Sequence, residues 1–409
     1  MPPMTTRSMN ILFLTLIGFE SLHERSIYTD LLREFTAHGH KVCVISPVEK
    51  RTGIRTHMVR EENASILRLQ IGNTQKTGMI EKGINMVRME PQFRRAIRQY
   101  FADVKFDLVL YSTPPITLVS TVRYVKTRDG AATYLLLKDI FPQNAVDIGI
   151  LSTSGLKGLI WRHFLRQEKK LYSVSDRIGC MSPANVRYLL AHNPEVPAGT
   201  VEVCPNSIEP EDKSVDAATR RQIREKYQIP LDKTVFVYGG NLGKPQDIPF
   251  LIRSLRACTD IPEAFFLIVG DGTDYPLLAD YVQQERPAHV RLLKSLPRQD
   301  YDAMVGACDV GLIFLDYRFT IPNFPSRLLS YMAAKLPVLA LTDPNTDIGE
   351  VIEEGGFGWR RLSNDEHALA DAVRQILSED LRARQENSWR YLLEHYTSRA
   401  SYDMIMKQR

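Results

Sequence analysis

The sequence has no long apolar run, no closely spaced cysteines and no repeated or low-complexity tract, and each absence excludes a class of protein. No stretch of the 409 residues approaches the ~18–20 consecutive apolar residues of a membrane-spanning helix. The five cysteines are scattered, and none forms a Cys-x-x-Cys pair, which argues against a zinc site or a disulfide framework. We therefore expect a cytoplasmic protein that holds no metal.

Charge is distributed unevenly along an otherwise ordinary composition. Hydrophobic residues make up 44% and charged residues 24% of the chain, as in typical globular proteins. Residues 1–200 hold 27 lysines and arginines against 17 aspartates and glutamates, whereas residues 201–409 hold 25 against 31. A basic first half and an acidic second half predict different partners for the two halves.

Short buried strands alternate with amphipathic helices along most of the chain. The first series begins with the strand ILFLTLI, the helix SIYTDLLREFTAHG and the strand KVCVISP, and a second series follows the strand VEVCPNS. This alternation predicts an α/β protein with two doubly wound parallel sheets, in domains spanning residues 1–208 and 209–385. Parallel sheets bind ligands at the carboxyl ends of their strands, so two such domains predict two facing rims and a cleft between them.

Two glycine turns follow predicted strands in the second half. YGGNLGK, residues 238–244, offers Gly240 and Gly243 for close approach of a ligand to the backbone, and Lys244 adds a positive charge. The spacing is neither that of a P-loop nor G-x-G-x-x-G. The second turn is VGDG, which contains Gly270, Asp271 and Gly272. Both motifs are also compatible with tight strand-to-helix turns that bind nothing.

Two further loops of the second half lead into helices. FTIPNFPSRLLSYMAAKLPV, residues 319–338, places Arg327 in the first helical turn, after Pro325 and Ser326, and TDPNTDIGE supplies Asn345, Thr346 and Asp347. Helix N-termini and basic side chains together suit a diphosphate that leaves with negative charge. The polar residues of the second loop could instead form an N-cap cluster.

One carboxylate stands out in the first half. Asp139, in LLLKDIFPQ, follows a predicted buried strand. At that position a carboxylate could orient or deprotonate a hydroxyl group. It could equally cap a turn.

These motifs together resemble those of the family 4 glycosyltransferases of the two-Rossmann, GT-B type. The matching stretches are LLLKDIFPQNAVDIGIL, CMSPANVRYLL, VEVCPNSIE, VYGGNLGKPQD, IVGDG, ACDVGLIFL and IPNFPSRLLSYMAAKLPV, and they follow the family's order over nearly the whole chain. Within the family the sequence is most similar to bacterial enzymes of capsule and O-antigen synthesis that resemble fucosamine transferases.

The resemblance implies a nucleotide-sugar donor in the C-terminal domain, an acceptor in the N-terminal domain, retention of anomeric configuration and no metal or other cofactor. It also implies that the final residues, 386–409, cross back to the N-terminal domain. Asp139, Lys244 and Arg327 are the predicted catalytic residues. The predicted donor-binding residues are Gly240, Asn241, Gly243, Lys244, Gly270, Asp271, Gly272, Pro325, Ser326, Arg327, Asn345, Thr346 and Asp347.

The sequence departs from the family pattern at several positions. Pro322 and Ser330 stand where many relatives have two glutamates, and Asn241 and Gln246 stand where many have an arginine and a phosphate-binding lysine. The glycine pair common after the first strand is replaced by IGFESLHERS. We therefore expect other groups, Lys244 and Arg327 first, to contact the phosphates.

A lipid-linked acceptor would explain the basic first half. LKGLIWRHFLRQEKKL interleaves basic residues with Leu156, Ile160, Trp161, Phe164 and Leu165 and could lie on an anionic bilayer at the inner face of the plasma membrane. KTGMIEKGINMVRMEPQFRRAIRQY is a second candidate. The leading hypothesis is transfer of a sugar from a UDP-sugar to a polyprenyl-diphosphate-linked saccharide, with no nucleic-acid partner. A UDP-sugar 2-epimerase and a degenerate, non-catalytic binding subunit are the alternatives.

Overall fold

The computed structural model describes residues 7–73 and 79–407. The chain divides into two compact units. Unit 1 comprises Met1–Glu209 and Ser398–Arg409, and unit 2 comprises Pro210–Thr397. Residues 76–78 of the second predicted membrane segment lie outside the described residues.

Unit 1 is built on an eight-stranded sheet with the order β3-β4-β2-β1-β5-β6-β7-β8. Its strands are β1 (Asn10–Leu14), β2 (Lys41–Glu49), β3 (His57–Glu61), β4 (Ala64–Ile71), β5 (Leu108–Ser112), β6 (Ala132–Leu137), β7 (Arg177–Cys180) and β8 (Val201–Val203). Its helices are α1 (Ile27–Ala37), α2 (Met79–Tyr100), α3 (Val119–Asp129), α4 (Gln143–Asp147), α5 (Gly155–Val174), α6 (Pro183–His192) and the last helix of the chain, α15 (Ser398–Met406). The strand pairs are parallel except for the antiparallel pair of β3 and β4.

Unit 2 contains a six-stranded parallel sheet with the order β11-β10-β9-β12-β13-β14. The strands are β9 (Thr234–Asn241), β10 (Ala264–Asp271), β11 (Val290–Leu293), β12 (Val310–Phe314), β13 (Val338–Thr342) and β14 (Gly358–Leu362). The helices are α7 (Ala217–Lys226), α8 (Ile248–Arg256), α9 (Tyr275–Glu285), α10 (Arg298–Gly306), α11 (Arg327–Ala333), α12 (Ile348–Glu354), α13 (Ala368–Leu377) and α14 (Arg382–His395).

The local sequence explains where the elements begin and end. Oγ of Ser26 accepts a hydrogen bond from the backbone N–H of Thr29 and so caps α1, and Ser182 caps α6 in the same way. Gly39 follows α1 with a φ of +78°, a conformation that favours glycine. All five residues of β5, β12 and β13 are buried, as expected for central parallel strands covered on both faces.

The end of unit 2 differs from the predicted boundary. Residues 386–397 were expected to join the N-terminal domain, but they belong to unit 2, and only the chain from Ser398 onward belongs to unit 1. Ser388 is fully buried and its Oγ donates to the carbonyl of Leu336, 2.9 Å away. The ring of Tyr391 packs on that of Phe357. These contacts keep α14 on the core of unit 2. The boundary between the two units follows Glu209, one residue after the predicted boundary at residue 208.

Candidate functional site

The two glycine turns form one joined layer at the carboxyl end of the second sheet. Gly270 lies opposite Gly240 in the register of β9 and β10. A Cβ atom at Gly270 would lie 1.9 Å from the carbonyl oxygen of Gly240, and one at Gly272 would lie 2.2 Å from that of Leu242. The backbone N–H of Leu242 donates to the carbonyl of Asp271 at 2.9 Å. These glycines therefore serve the contact between the two turns.

Arg327, from the first turn of α11, reaches the same layer. Its Cζ atom lies 4.2 Å from the ring centroid of Tyr238, which is a cation–π geometry. On the other side, a Cβ atom at Gly240 would lie 3.3 Å from Nη2 of Arg327, and Gly240 has a φ of +134°. The guanidinium thus lies between a tyrosine ring and a glycine backbone. Its Nη1 atom is buried and has no hydrogen-bond partner among the described residues, so it is a donor that a ligand could satisfy.

Two tyrosines near this guanidinium, Tyr238 and Tyr331, are held in place by hydrogen bonds to the backbone. The hydroxyl of Tyr238 donates to the carbonyl of Asn241 at 2.8 Å. The hydroxyl of Tyr331 donates to the carbonyl of Leu312 at 3.0 Å and accepts from the N–H of Gly239 at 3.2 Å. Burial raises the pKa of Tyr331 well above its ordinary value, so the hydroxyl keeps its proton at neutral pH. The charge available to an anion in this cluster is that of Arg327.

Lys244 and Gln246 have different roles in the first glycine turn. Gln246 is buried, and its Oε1 accepts from Nδ2 of Asn241 at 2.9 Å and from the N–H of Gly243 at 3.3 Å. Gln246 therefore holds the turn together instead of facing solvent. Lys244 is exposed, and its ammonium makes no hydrogen bond or ion pair with the described residues. It is the free positive charge of the turn.

The remaining predicted residues divide between exposed and structural positions. Asp271 is exposed, and its Oδ1 accepts from the N–H of Gly272 and lies 3.8 Å from Nζ of Lys294. Ser326 is exposed, precedes Arg327 and makes no capping hydrogen bond, and the carbonyl of Pro325 accepts from the N–H of Leu328.

The loop after β13 is tied to the loop after β12. Nδ2 of Asn345 donates to the carbonyl of Phe319 at 2.6 Å, and Oγ1 of Thr346 donates to the carbonyl of Asn323. Asp347 is buried at the start of α12 and makes no capping hydrogen bond. The side chains of Asn345 and Thr346 therefore position the segment before Arg327, which is a supporting role. The alternative interpretation, a cluster that caps a helix start, also has support. Oδ1 of Asp343 accepts from the backbone N–H groups of Asn345 and Thr346 at 2.8 and 3.0 Å, and Oγ1 of Thr346 accepts from the N–H of Ile348, the first residue of α12, at 3.4 Å.

Asp139 lies in a separate polar cluster of unit 1, beyond the end of β6. Its Oδ1 accepts from Nδ2 of Asn144 at 2.7 Å, and its backbone is bonded in both directions to Oγ1 of Thr113. Burial raises the pKa of Asp139 to about 6, although the bonds from Asn144 and from the N–H of Ile140 oppose the shift. A carboxylate with a pKa near neutrality is suited to accept a proton from a hydroxyl.

Glu168 of α5 belongs to the same cluster as Asp139 and is not among the predicted site residues. Glu168 is 6% exposed, and its Oε1 accepts from the hydroxyl of Tyr172 at 2.7 Å. Burial, with a further contribution from the charge of Asp139, raises the pKa of Glu168 to about 7. In the sequence, the burial of Glu168 is indicated only by its spacing: it lies four residues from both Phe164 and Tyr172, on the otherwise apolar face of α5.

Helix α5 divides into an exposed beginning and a packed remainder. Leu156, Leu159 and Ile160 are 83%, 60% and 49% exposed. The ring of Phe164 instead packs on that of Phe141 with 5.1 Å between centroids.

No helix in the described ranges is long and apolar enough to cross a membrane. Within those ranges no three His, Cys, Asp or Glu side chains are grouped as a metal site.

Two family descriptions match the chain, one for each half. Residues 25–212 match Glycosyltransferase Family 4, and residues 219–390 match Glycosyl transferases group 1. The chain is 28% identical over 277 residues to the probable glycosyltransferase WbjE of Pseudomonas aeruginosa, a match that covers 67% of each protein. It is 23% identical over 283 residues to the putative colanic acid biosynthesis glycosyl transferase WcaI of Escherichia coli (strain K12), again over 67% of each.

The fold is similar to that of solved structures over almost the full length. HepE of Anabaena, crystallised in complex with UDP, superposes with a TM-score of 0.70 over 98% of this chain and 99% of its own. Sequence identity in that comparison is 14%, so the likeness is one of fold.

Proposed function

The chain belongs to the glycosyltransferases of the GT-B fold, and we propose that it moves a sugar from a UDP-sugar to a lipid-linked saccharide acceptor, with retention of anomeric configuration. The acceptor would be a polyprenyl-diphosphate-linked saccharide of bacterial surface polysaccharide synthesis. The link to polysaccharide synthesis is supported by the name of the relative WcaI, which refers to colanic acid biosynthesis. The UDP donor is supported by the UDP bound in the structurally similar HepE.

One observation carries the donor site. The guanidinium of Arg327 is held between Tyr238 and Gly240 at the carboxyl end of the sheet, with a buried N–H group that no described residue satisfies. An unsatisfied buried donor is costly, and a phosphate oxygen would satisfy it with a charge-assisted hydrogen bond. Gly240 is exposed beside this guanidinium and has no side chain, so a diphosphate could approach the backbone there.

The proposed chemistry assigns one task to each cluster. Arg327 and Lys244 stabilise the negative charge that develops on the departing nucleoside diphosphate. Asp139 orients the acceptor hydroxyl and accepts its proton, and its pKa of about 6 leaves it mostly ionised at neutral pH. No step needs a metal ion.

The exposed beginning of α5 supports a peripheral position on the inner face of the plasma membrane. We name this surface the α5 patch, and define it by the exposed apolar residues Leu156, Leu159 and Ile160 and the exposed basic residues Lys157, Arg162 and Arg166. Apolar side chains that insert among lipid headgroups and cations that attract anionic lipids are the two contributions to interfacial binding.

A nucleotide-sugar panel tests the donor assignment. Thermal unfolding of the full chain is measured with UDP-, GDP-, dTDP- and ADP-sugars, and we expect the largest stabilisation from a UDP-sugar. The same mixtures are then analysed for product without an acceptor. Epimerisation at C2 of the sugar would favour the epimerase, and stabilisation with no turnover on any lipid acceptor would favour the non-catalytic subunit.

A further inference from the structure

A buried arginine lies beneath the loop that follows the first strand of unit 1. Leu14, the last residue of β1, is level with Ile45 of β2 and with Leu67 of β4. Arg68 and its neighbour Ser46 are therefore level with the first residue beyond β1. This is the edge of a parallel sheet at which ligands bind.

The side chain of Arg68 is more than nine-tenths buried and incompletely paired. Arg68 is 6% exposed. Its Nη1 lies 3.2 Å from Oγ of Ser46, and its Nη2 lies 3.4 Å from Oε1 of Glu20. Its Nε atom is buried without a hydrogen-bond partner among the described residues. A guanidinium has five N–H donors and a permanent charge, so this environment leaves it poorly satisfied.

The counter-ion of Arg68 is poorly matched to a buried charge. Glu20 is 59% exposed on its side chain, and pairs with such an exposed partner contribute little to stability. Its backbone N–H donates to Oε1 of Glu24 at 2.6 Å, so the carboxylate can swing away while the backbone stays anchored. When the carboxylate of Glu20 moves into water, the guanidinium of Arg68 stays buried between the sheet and the loop, because Arg68 is only 6% exposed.

The loop above Arg68 is held in place by backbone contacts. Oγ of Ser46 donates to the carbonyl of Phe19 at 2.7 Å and accepts from its N–H at 2.8 Å. A Cβ atom at Gly18 would lie 2.6 Å from the carbonyl oxygen of Pro47, so a side chain there would displace the loop. The position of the arginine relative to the loop is therefore fixed before any ligand binds.

We propose that Arg68 is the cationic centre of an oxyanion subsite in unit 1, and that the carboxylate of Glu20 occupies this subsite until a phosphate group displaces it. The phosphate presents two or more oxygens and can satisfy both Nε and Nη2, whereas Glu20 reaches only Nη2. The identification of the phosphate as part of the acceptor's or the donor's diphosphate rests on the proposed function. The oxyanion subsite itself does not.

Substitutions of Arg68 and of Glu20 are expected to change phosphate affinity in opposite directions. This difference distinguishes a binding site from an ion pair that only stabilises the fold. Binding of inorganic pyrophosphate to the full chain is measured by calorimetry for the wild type, Arg68→Gln and Glu20→Gln. We expect Arg68→Gln to weaken binding about tenfold or more, as for the loss of a charge-assisted hydrogen bond. We expect Glu20→Gln to strengthen it severalfold because the competing carboxylate is removed.

Two further arms identify the source of the phosphate. If saturating UDP abolishes the Arg68-dependent binding of pyrophosphate, the donor diphosphate occupies the subsite. If that binding persists with UDP and farnesyl diphosphate competes with it, the acceptor diphosphate does. Both results support the subsite, and both can be obtained from a protein that shows no sugar transfer.

The proposal is overturned if pyrophosphate affinity is the same in all three proteins, or if Glu20→Gln weakens binding as Arg68→Gln does. In either case the two side chains form a structural ion pair only. Thermal unfolding is measured alongside, with Arg68→Lys as the variant that keeps a charge. If Arg68→Gln does not fold, the direction of change in the surface variant Glu20→Gln decides.

Discussion

The guanidinium of Arg327 lies over the ring of Tyr238, with 4.2 Å between Cζ and the ring centroid, although the two residues come from different elements. Tyr238 belongs to β9 and Arg327 begins α11. The ring holds the charge beside Gly240 while leaving Nη1 without a partner among the described residues. The proposed donor site depends on this contact.

Replacing Arg327 with alanine is expected to weaken UDP binding by about 1–3 kcal/mol, because a charge-assisted hydrogen bond to a phosphate is lost. Calorimetry with UDP measures the change. Tyr238→Leu should weaken binding less, through loss of the ring that positions the guanidinium, and Tyr238→Phe should bind nearly as well as the wild type. Equal UDP affinity in Arg327→Ala and the wild type would remove Arg327 from the site.

Lys244 makes a separate contribution, because its ammonium is exposed and unpaired among the described residues. Lys244→Ala is expected to weaken UDP binding by about 1–3 kcal/mol, and the loss should shrink as salt is added because an exposed charge is screened. Lys294→Ala is the matched control: Lys294 is another exposed lysine, and its partner Asp271 is 3.8 Å away. A Lys244→Ala variant with wild-type affinity at low salt would contradict the assignment.

Asp139 should affect turnover and not donor affinity. Asp139→Asn keeps the size of the side chain but cannot accept a proton, so we expect kcat to fall by about 10²-fold or more. UDP affinity, measured by calorimetry, should be unchanged because Asp139 belongs to unit 1. Full transfer activity in Asp139→Asn would exclude it as the group at the acceptor hydroxyl.

Glu168 gives a prediction about stability and pH. Its pKa is raised from 4.5 to about 7 by burial, with Tyr172 and Lys169 opposing the shift and Asp139 adding to it. The charges of Glu168 and Asp147 both act on Tyr188 of α6. A raised pKa means that the folded state binds the proton more tightly, so stability is lost as pH rises from about 4.5 to about 7.

The corresponding experiment compares Glu168→Gln with the wild type. The free energy of unfolding is measured by urea titration between pH 4 and 8. As pH rises, the free energy of unfolding of the wild type should fall relative to that of the variant by up to about 1.4 kcal/mol per pH unit. Glu195→Gln removes an exposed carboxylate whose pKa is lowered by Lys169, and it should show no such gain. A pH-independent difference for Glu168→Gln would contradict the raised pKa.

The α5 patch predicts binding to anionic vesicles. The double variant Leu156→Asp/Leu159→Asp should lose most co-sedimentation with phosphatidylglycerol vesicles, because it adds repulsion and removes two inserting side chains. Leu277→Asp changes a leucine that is 48% exposed on unit 2 and serves as the control. If all three proteins sediment equally with these vesicles, the α5 patch is not the membrane-contacting surface.

Much of the fold follows from local pattern. The two α/β domains follow from apolar periodicity and from glycine or serine at helix ends, which are local signals. The GT-B fold, which the resemblance to the family implied, is confirmed, and the last helix belongs to the first unit. β14 was not predicted, because two of the five residues in its sequence GWRRL are charged and it forms an edge strand. The assignment of residues 386–397 to the N-terminal domain was wrong because a helical pattern does not reveal which core receives it.

The sequence was sufficient to predict the sheet edge at which the candidate site lies, but not the contacts between its side chains. Sequence alone brought Gly240, Gly270 and Arg327 to one sheet edge, since the two glycines lie near the carboxyl ends of β9 and β10 and Arg327 follows β12 of the same parallel sheet. It could not assign Gln246 to the interior of its turn or pair Arg327 with Tyr238, because both depend on tertiary contacts. The buried polar residues Glu168 and Arg68 were missed for the same reason, since a charged letter in a sequence does not report its burial.

The most direct test follows a labelled sugar. The full chain is incubated with a radiolabelled UDP-sugar, chosen by thermal stabilisation, and with bacterial lipid extract that contains polyprenyl-diphosphate-linked saccharides. The reaction is then separated into organic and aqueous phases. We predict that label enters the lipid phase, with one UDP released per sugar transferred, and that Arg327→Ala and Asp139→Asn lose this transfer. If the label remains in the aqueous phase as intact UDP-sugar with every acceptor lipid, although the protein binds that UDP-sugar, the proposed activity is contradicted.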